Sequence, residues 1–253
     1  MLLASAVAAL AWILGAGSLL LFGAFLWGET WPTIDLRLTH RSLLAWDASL
    51  CLLFFLQHSL LIRRSVRGAL KKIIPEYRQG VAYTFASAVV LAALILLWQH
   101  SPVTLYAWHG VGRWALRAVF LLTIAGIVWG ARSLDKFDAF GIDAYLAHVH
   151  GRQTSPSGLT TKGPYGVVRH PFYALIIVAL WAAPVLSADR LLFNLLFMGW
   201  ILLGARLEER DLLAELGEGY NSYRQAVPMF VPRAWRRAKK ARKKKAASGG
   251  RAA

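Results

Sequence analysis

The sequence predicts an all-α, polytopic integral membrane protein. It has about six transmembrane helices, a C-terminal helical hairpin and a cytoplasmic C-terminal amphipathic helix. Three observations carry this. Hydrophobic residues make up 57% of the 253-residue chain and charged residues 17%, against about 25% in soluble domains. The apolar residues are gathered into long charge-free runs. The Lys and Arg residues alternate between rich and poor loops, as the positive-inside rule requires of a multispan chain. A soluble enzyme, a disordered chain and a disulfide scaffold are excluded. The one cysteine, Cys51, allows no internal disulfide and no Cys-based zinc site.

The spans follow in order. Residues 3–27 lie in a run without charge from Leu2 to Gly28. A signal peptide would begin with basic residues and have a shorter apolar core, so this run reads as a membrane helix. The next spans are residues 43–62, 81–98 and 114–133, the third of them inside a charge-free run from Gln79 to Gly112. Two shorter runs, 172–186 and 191–207, are split by Ser187-Ala188-Asp189-Arg190 and read as a tight hairpin, with Pro184 ending or kinking its first arm. The loop from Arg63 to Gly80 carries six basic residues and that from Arg132 to Pro171 five; the intervening loops carry two, none and one. Both termini are therefore expected in the cytoplasm.

Ten of the 29 basic residues fall between Arg233 and the end, where there is no acid. The chain thus divides into a membrane domain, 1–232, and an expected disordered cytoplasmic tail, 233–253. Such a tail suits anionic lipid headgroups. With a single aromatic, Trp235, and no RNA-binding motif beside it, the tail gives no expectation of nucleic acid.

Three segments can carry chemistry, and each also has a plain structural reading. Gly163-Pro164-Tyr165-Gly166-Val167-Val168-Arg169-His170-Pro171-Phe172-Tyr173 is a turn at the mouth of the fifth span, with Pro171 suited to the first helical position. It equally fits a membrane boundary with a snorkelling Arg and interfacial Tyr. Glu208 and Glu209 close the sixth span, which runs on as an amphipathic helix. They point about 100° apart, so at most one faces inward squarely; a solvated helix with Glu–Arg pairs is the alternative. In the second span Asp47, Cys51 and His58 share a face at i, i+4 and i+11. His58 reads either as a hydrogen-bonded helix-end residue or as a functional one. No strand precedes a G-x-G-x-x-G, and His148 and His150 lack further ligands nearby, so neither a Rossmann site nor a metal site is expected.

Gly163-Pro164-Tyr165, Arg169-His170-Pro171-Phe172-Tyr173, a short hairpin, Glu208-Glu209, Tyr220-x-x-Tyr223 and Pro228…Pro232 together resemble the C-terminal half of the isoprenylcysteine carboxyl methyltransferase and phospholipid methyltransferase group. Gln57-His58-Ser59, Trp98-x-x-Ser101-Pro102, Trp108 and Ser133…Phe137-Asp138-x-Phe140-Gly141 resemble its methanethiol S-methyltransferase and NnrU-type branch. The likeness covers roughly residues 10–232. That branch tends to open the third span with Glu-Arg-Ser-x-Tyr and to follow Phe-Gly with Leu-Arg-Gln. Here the stretches read Tyr77-Arg78-Gln79-Gly80-Val81-Ala82-Tyr83 and Ile142-Asp143-Ala144, at plausible substrate-side positions.

The resemblance implies S-adenosylmethionine as cofactor, in a cytoplasm-facing pocket lined by Tyr165, Arg169, His170 and Tyr173 with Glu208 and Glu209 opposite. Arg169 would pair with the methionine carboxylate, a Glu would hold ribose hydroxyls or the amino group, and aromatic faces would favour the sulfonium. The acceptor would be a small or lipophilic thiol entering from the membrane core. A base or a local positive charge must then favour its thiolate, and His58 is the candidate, because Gln57-His58 shares the cytoplasmic end with Arg169-His170. Two other readings remain at this point. One is an NADPH-dependent sterol-type reductase, against which Ala174-Leu175 stands where a Gly and an acid would follow the Tyr. The other is a non-enzymatic NnrU-like protein linked to nitrogen-oxide metabolism. A bacterial inner membrane is the expected location.

Overall fold

The computed structural model describes residues 2–28, 33–134, 137–152 and 159–233. The basic tail expected over 233–253 therefore lies, Arg233 apart, outside the described residues. Nine helices appear among the described residues: α1 (Leu2–Trp27), α2 (His40–Ile62), α3 (Arg64–Leu70), α4 (Glu76–Leu96), α5 (Gly110–Arg132), α6 (Ile142–Val149), α7 (Pro171–Trp181), α8 (Ala188–Leu216) and α9 (Glu218–Ala226). Two short strands, β1 (Thr104–Ala107) and β2 (Val185–Ser187), pair antiparallel. Helices α1, α2, α4, α5 and α8 are long and apolar enough to cross a membrane. Their outward faces carry exposed Leu20, Val89, Leu122 and Trp129, side chains that suit hydrocarbon rather than water.

The fifth expected span is shorter than its apolar run. Helix α7 has 11 residues, about 16 Å, roughly half a bilayer core. Pro184 explains this. It has no N–H for the helical ladder and drives the residue before it toward extended backbone. The chain leaves the helix after Trp181, and Val185–Ser187 turns into the ribbon with β1, Ala107 opposite Val185 and Thr104 opposite Ser187. The sixth span is longer than expected. Helix α8 runs unbroken for 29 residues, about 43 Å, so its last turns extend past the hydrocarbon. It stops at Gly217, whose φ of 55° with ψ of −131° is open to glycine and strained for other residues. Helix α9 then folds back and buries Tyr220 and Tyr223.

One aromatic core joins α1, α2, α4, α7 and α8 through Phe25, Phe54, Phe55, Trp98, Leu180, Phe193 and Phe197. Phe193 and Phe197 stack at 4.1 Å between centroids, and Phe55 lies flat on Trp200 at 4.7 Å. A smaller cluster under α6 joins Ala4, Ala11, Val81 and Tyr145. Helix α6 is held by a tight approach: a Cβ on Gly80 would stand 2.7 Å from the Gly141 Cα, and the Thr84 hydroxyl donates to the Phe140 carbonyl at 2.9 Å.

The end of the bundle remote from Arg169 spends its buried charges on chain ends. Arg190 donates to the Phe25 and Leu26 carbonyls and Arg117 to that of Trp27, cations at the C-terminus of α1. Asp189 accepts from Trp98 Nε1 at 3.0 Å and from the Ser101 N–H at 3.1 Å. Asp47 accepts the Gln99 N–H at 2.9 Å. Asp47 and Cys51, both fully buried, thus lie deep in the scaffold, whereas His58, on the same face, reaches the other end of α2.

Candidate active site

Pro171 opens α7 as its sequence position suggests, and the residues before it, Arg169 and His170, are drawn into contact with α8 and α9. Glu209 Oε1 receives Arg169 Nε at 2.7 Å and Arg169 Nη2 at 2.6 Å, with His170 Nε2 at 3.2 Å. Arg169 Nη1 donates to the carbonyls of Arg224, at 2.9 Å, and Val227. The two backbones add to this: Arg169 N donates to Pro228 O at 2.9 Å and His170 N to Met229 O at 3.1 Å. Arg169 therefore clasps α9 and the 228–232 segment to the mouth of α7. Most of its donors are occupied by the protein itself.

The two adjacent glutamates divide as their 100° separation requires. The Glu209 side chain is 11% exposed and is consumed by the clasp, while that of Glu208 is 46% exposed. Glu208 Oε2 lies 3.8 Å from His170 Nδ1, and the Tyr173 hydroxyl faces the same carboxylate. The His170 and Tyr173 rings are parallel within 8° at 5.4 Å, and Phe230 tilts against His170 at 5.8 Å. A reachable carboxylate beside a wall of aromatic faces results.

Tyr165 sits in a 3₁₀ turn, Gly163–Gly166, and is linked to α9 by the Tyr223 hydroxyl, which donates to its carbonyl at 2.6 Å. Burial pushes the Tyr165 phenol up to about 12, reinforced by Tyr223 and Glu208 nearby. Tyr220 is 1% exposed and its phenol is also raised to about 12, by burial first and by Glu209 second. Its hydroxyl lies beside Arg169 and Glu209, yet no hydrogen bond of sound geometry satisfies it.

His58 stands apart from this cluster. Its ring stacks on Phe54 and meets the Tyr83 hydroxyl of α4, 2.9 Å from Nδ1 and 3.0 Å from Nε2. Tyr83 in turn lies within electrostatic reach of Tyr173, as does Arg63, which pairs with Asp211 at 2.9 Å. Of the expected residues, then, Arg169, His170, Tyr173, Glu208 and Glu209 form one group, Tyr165 borders it through Tyr223, and His58 connects only by way of Tyr83. Sequence reasoning assigned no individual role to Tyr220 or Arg63 and reached Tyr83 only as part of a stretch at plausible substrate-side positions. The signal for Tyr83 was present: a phenol seven residues into an apolar helix, past the Tyr77 at its mouth. His148 and His150 have local partners: His148 stacks on Tyr77 at 3.7 Å, and His150 Nδ1 donates to Leu146 O at 2.7 Å.

The chain is 34% identical over 209 residues to a methanethiol S-methyltransferase of Pseudomonas sp. (strain GM41(2012)), covering 81% of this chain and 76% of that one. It is 34% identical over 182 residues to a methanethiol S-methyltransferase of Mycobacterium tuberculosis, covering 71% and 74%. It belongs to the methanethiol S-methyltransferase family. Nurim of Mus musculus is a more distant relative, 28% identical over 181 residues. No family model and no solved structure matches the chain. Family membership makes this an integral membrane methyltransferase, and it settles the enzyme class against the reductase and the non-enzymatic alternative.

Proposed function

We propose that the protein transfers a methyl group from S-adenosylmethionine to a small lipophilic thiol, methanethiol foremost, at the Arg169 end of the bundle. The observation that carries this reading is the half-exposed Glu208 carboxylate set against the His170–Tyr173 stack, on a frame that Arg169 and Glu209 hold shut. The names of the relatives support the acceptor, since those proteins are methanethiol S-methyltransferases.

The residues present fit the cofactor. Glu208, half-exposed, has acceptor capacity left for an ammonium or for ribose hydroxyls. Tyr173, His170 and Phe230 offer aromatic faces to a sulfonium. Bound there, S-adenosylmethionine supplies a methyl group already activated on a sulfonium. What remains for the protein is to bind, align and exclude water. Arg169 serves this by fixing α9 and His170 rather than by gripping the cofactor carboxylate first-hand. His58, on the acceptor side, draws the thiol proton. Membrane-embedded faces on α2 and α4 give a volatile, apolar thiol a route from the bilayer. The basic loops at this end support a cytoplasmic setting, with both termini on that side of a bacterial inner membrane.

The test is methyl transfer from isotope-labelled S-adenosylmethionine to methanethiol by protein in liposomes, read as labelled dimethyl sulfide in the headspace. Saturable product formation is expected. Absence of product with correctly reconstituted protein would refute the reading.

A further inference from the structure

We propose that Tyr83 is the group that meets the acceptor thiol and takes its proton, with His58 as the proton's destination. This rests on the methyl-transfer reading above and adds its acceptor side.

Four observations support it. The Tyr83 hydroxyl lies 2.9 Å from His58 Nδ1 and 3.0 Å from Nε2, and a neutral imidazole carries one bare nitrogen that can accept the phenolic proton, which one depending on the tautomer. The His58 ring is fixed by stacking on Phe54, 5.1 Å away and tilted by 30°. Tyr83 lies seven residues into α4, about 10 Å along the helix, at a depth where polar pairs are expensive and face the protein interior. Beside the pair, the Gln57 amide nitrogen donates to Ser87 Oγ at 3.3 Å, while Gln57 Oε1 is buried without a hydrogen-bond partner. A thiol has one proton to donate; Tyr83 takes it, and Gln57 Oε1 keeps the wall beside the pair polar.

Position supplies the rest. Tyr83 lies between His58 and the Tyr173–Glu208 group, within electrostatic reach of Tyr173. Helix α8 packs on both α2 and α7, so the two groups hang on one frame. Among the described residues, the charged or titratable neighbours around Tyr173 and the pair include His170 at the mouth of α7, Glu208 and Asp211 from α8, and Arg63 from the end of α2. The step balances. The thiol S–H bond breaks and its proton passes to the Tyr83 oxygen as the Tyr83 proton passes to His58. The thiolate electron pair forms the new S–CH₃ bond, and the sulfonium C–S bond breaks with its pair left on the departing neutral thioether. The proton on the imidazolium is then released to water.

The experiment compares two acceptors and four proteins. Methanethiol is mostly protonated at neutral pH, whereas thiophenol is largely ionised there and needs no base. Binding of S-adenosylhomocysteine, measured by calorimetry, is expected to be the same in wild type, Tyr83→Phe and His58→Asn, which also establishes that the variants are folded. On methanethiol both variants should lose about 10²-fold or more in kcat/KM, the usual worth of a proton-transfer group. The double variant should lose no more than either single one, because the two residues act as a unit. On thiophenol all three should stay within a few-fold of wild type. Equal losses on both thiols, undiminished rate on methanethiol, or loss of S-adenosylhomocysteine binding in Tyr83→Phe would each overturn the proposal. Wild-type protein that binds S-adenosylhomocysteine but methylates neither thiol would overturn the acceptor reading on which it stands.

Discussion

Removing the Arg169 side chain should loosen one part of the molecule and leave the rest intact. In Arg169→Ala, Glu209 loses both guanidinium contacts, at 2.7 and 2.6 Å, and keeps only His170. The carbonyls of Arg224 and Val227 lose their donor as well. The pair is desolvated, with side chains 9% and 11% exposed, so deleting one partner costs about 3–5 kcal/mol. The cost falls on α9 and residues 228–232, since the spans keep their aromatic core. Hydrogen exchange of the α9 amides should accelerate by roughly two to three and a half orders of magnitude, while α5 amides keep their protection. Arg169→Lys keeps the charge without the planar fork and should fall between. The reasoning fails if α9 protection in Arg169→Ala equals wild type while cofactor binding is lost. That outcome would make Arg169 a direct ligand rather than a clasp.

Three further outcomes follow from the same geometry. Gly80→Ala places a Cβ 2.7 Å from the Gly141 backbone and should destabilise by about 1–3 kcal/mol, seen as a lower thermal midpoint in detergent. Arg190→Met strips the donors from the Phe25 and Leu26 carbonyls, so it should lower the unfolding midpoint yet leave the dissociation constant for S-adenosylhomocysteine unchanged. Tyr220 titrates near 12 in the fold against about 10 in an unfolded chain. The folded state then holds the phenolic proton more tightly, so this contribution to stability is intact below pH 10 and is lost as pH rises toward 12. The alkaline fall in unfolding midpoint should be shallower in Tyr220→Phe.

The sequence made the membrane architecture legible because a span is announced by the length of its apolar run, and α1, α2, α4, α5 and α8 all keep such runs. The halved α7 was hinted at by Pro184, but the β1–β2 ribbon was not, since four exposed residues at Thr104–Ala107 leave no periodicity to read. Helix α6 depends on Gly80 meeting Gly141, a contact between distant segments that no local pattern encodes. The division of labour between Glu208 and Glu209 was foreseeable from helix geometry. That Glu209 would be spent on Arg169, 40 positions away, was not, because the motif groups both among cofactor contacts and is silent on which polar groups satisfy each other. Tyr83 stood out as a phenol in an apolar helix, but its contact with His58 was hidden for the same reason, as that partner is on another helix.

Under the proposed function the cofactor binds where α7 begins, against Glu208. Calorimetric titration of S-adenosylhomocysteine into detergent-purified wild type and Glu208→Ala tests it most directly. Saturable one-site binding is expected in wild type, weakened about tenfold or more in the variant by loss of a charge-assisted contact. Failure of the wild type to bind, or identical affinity in the two proteins, would contradict it.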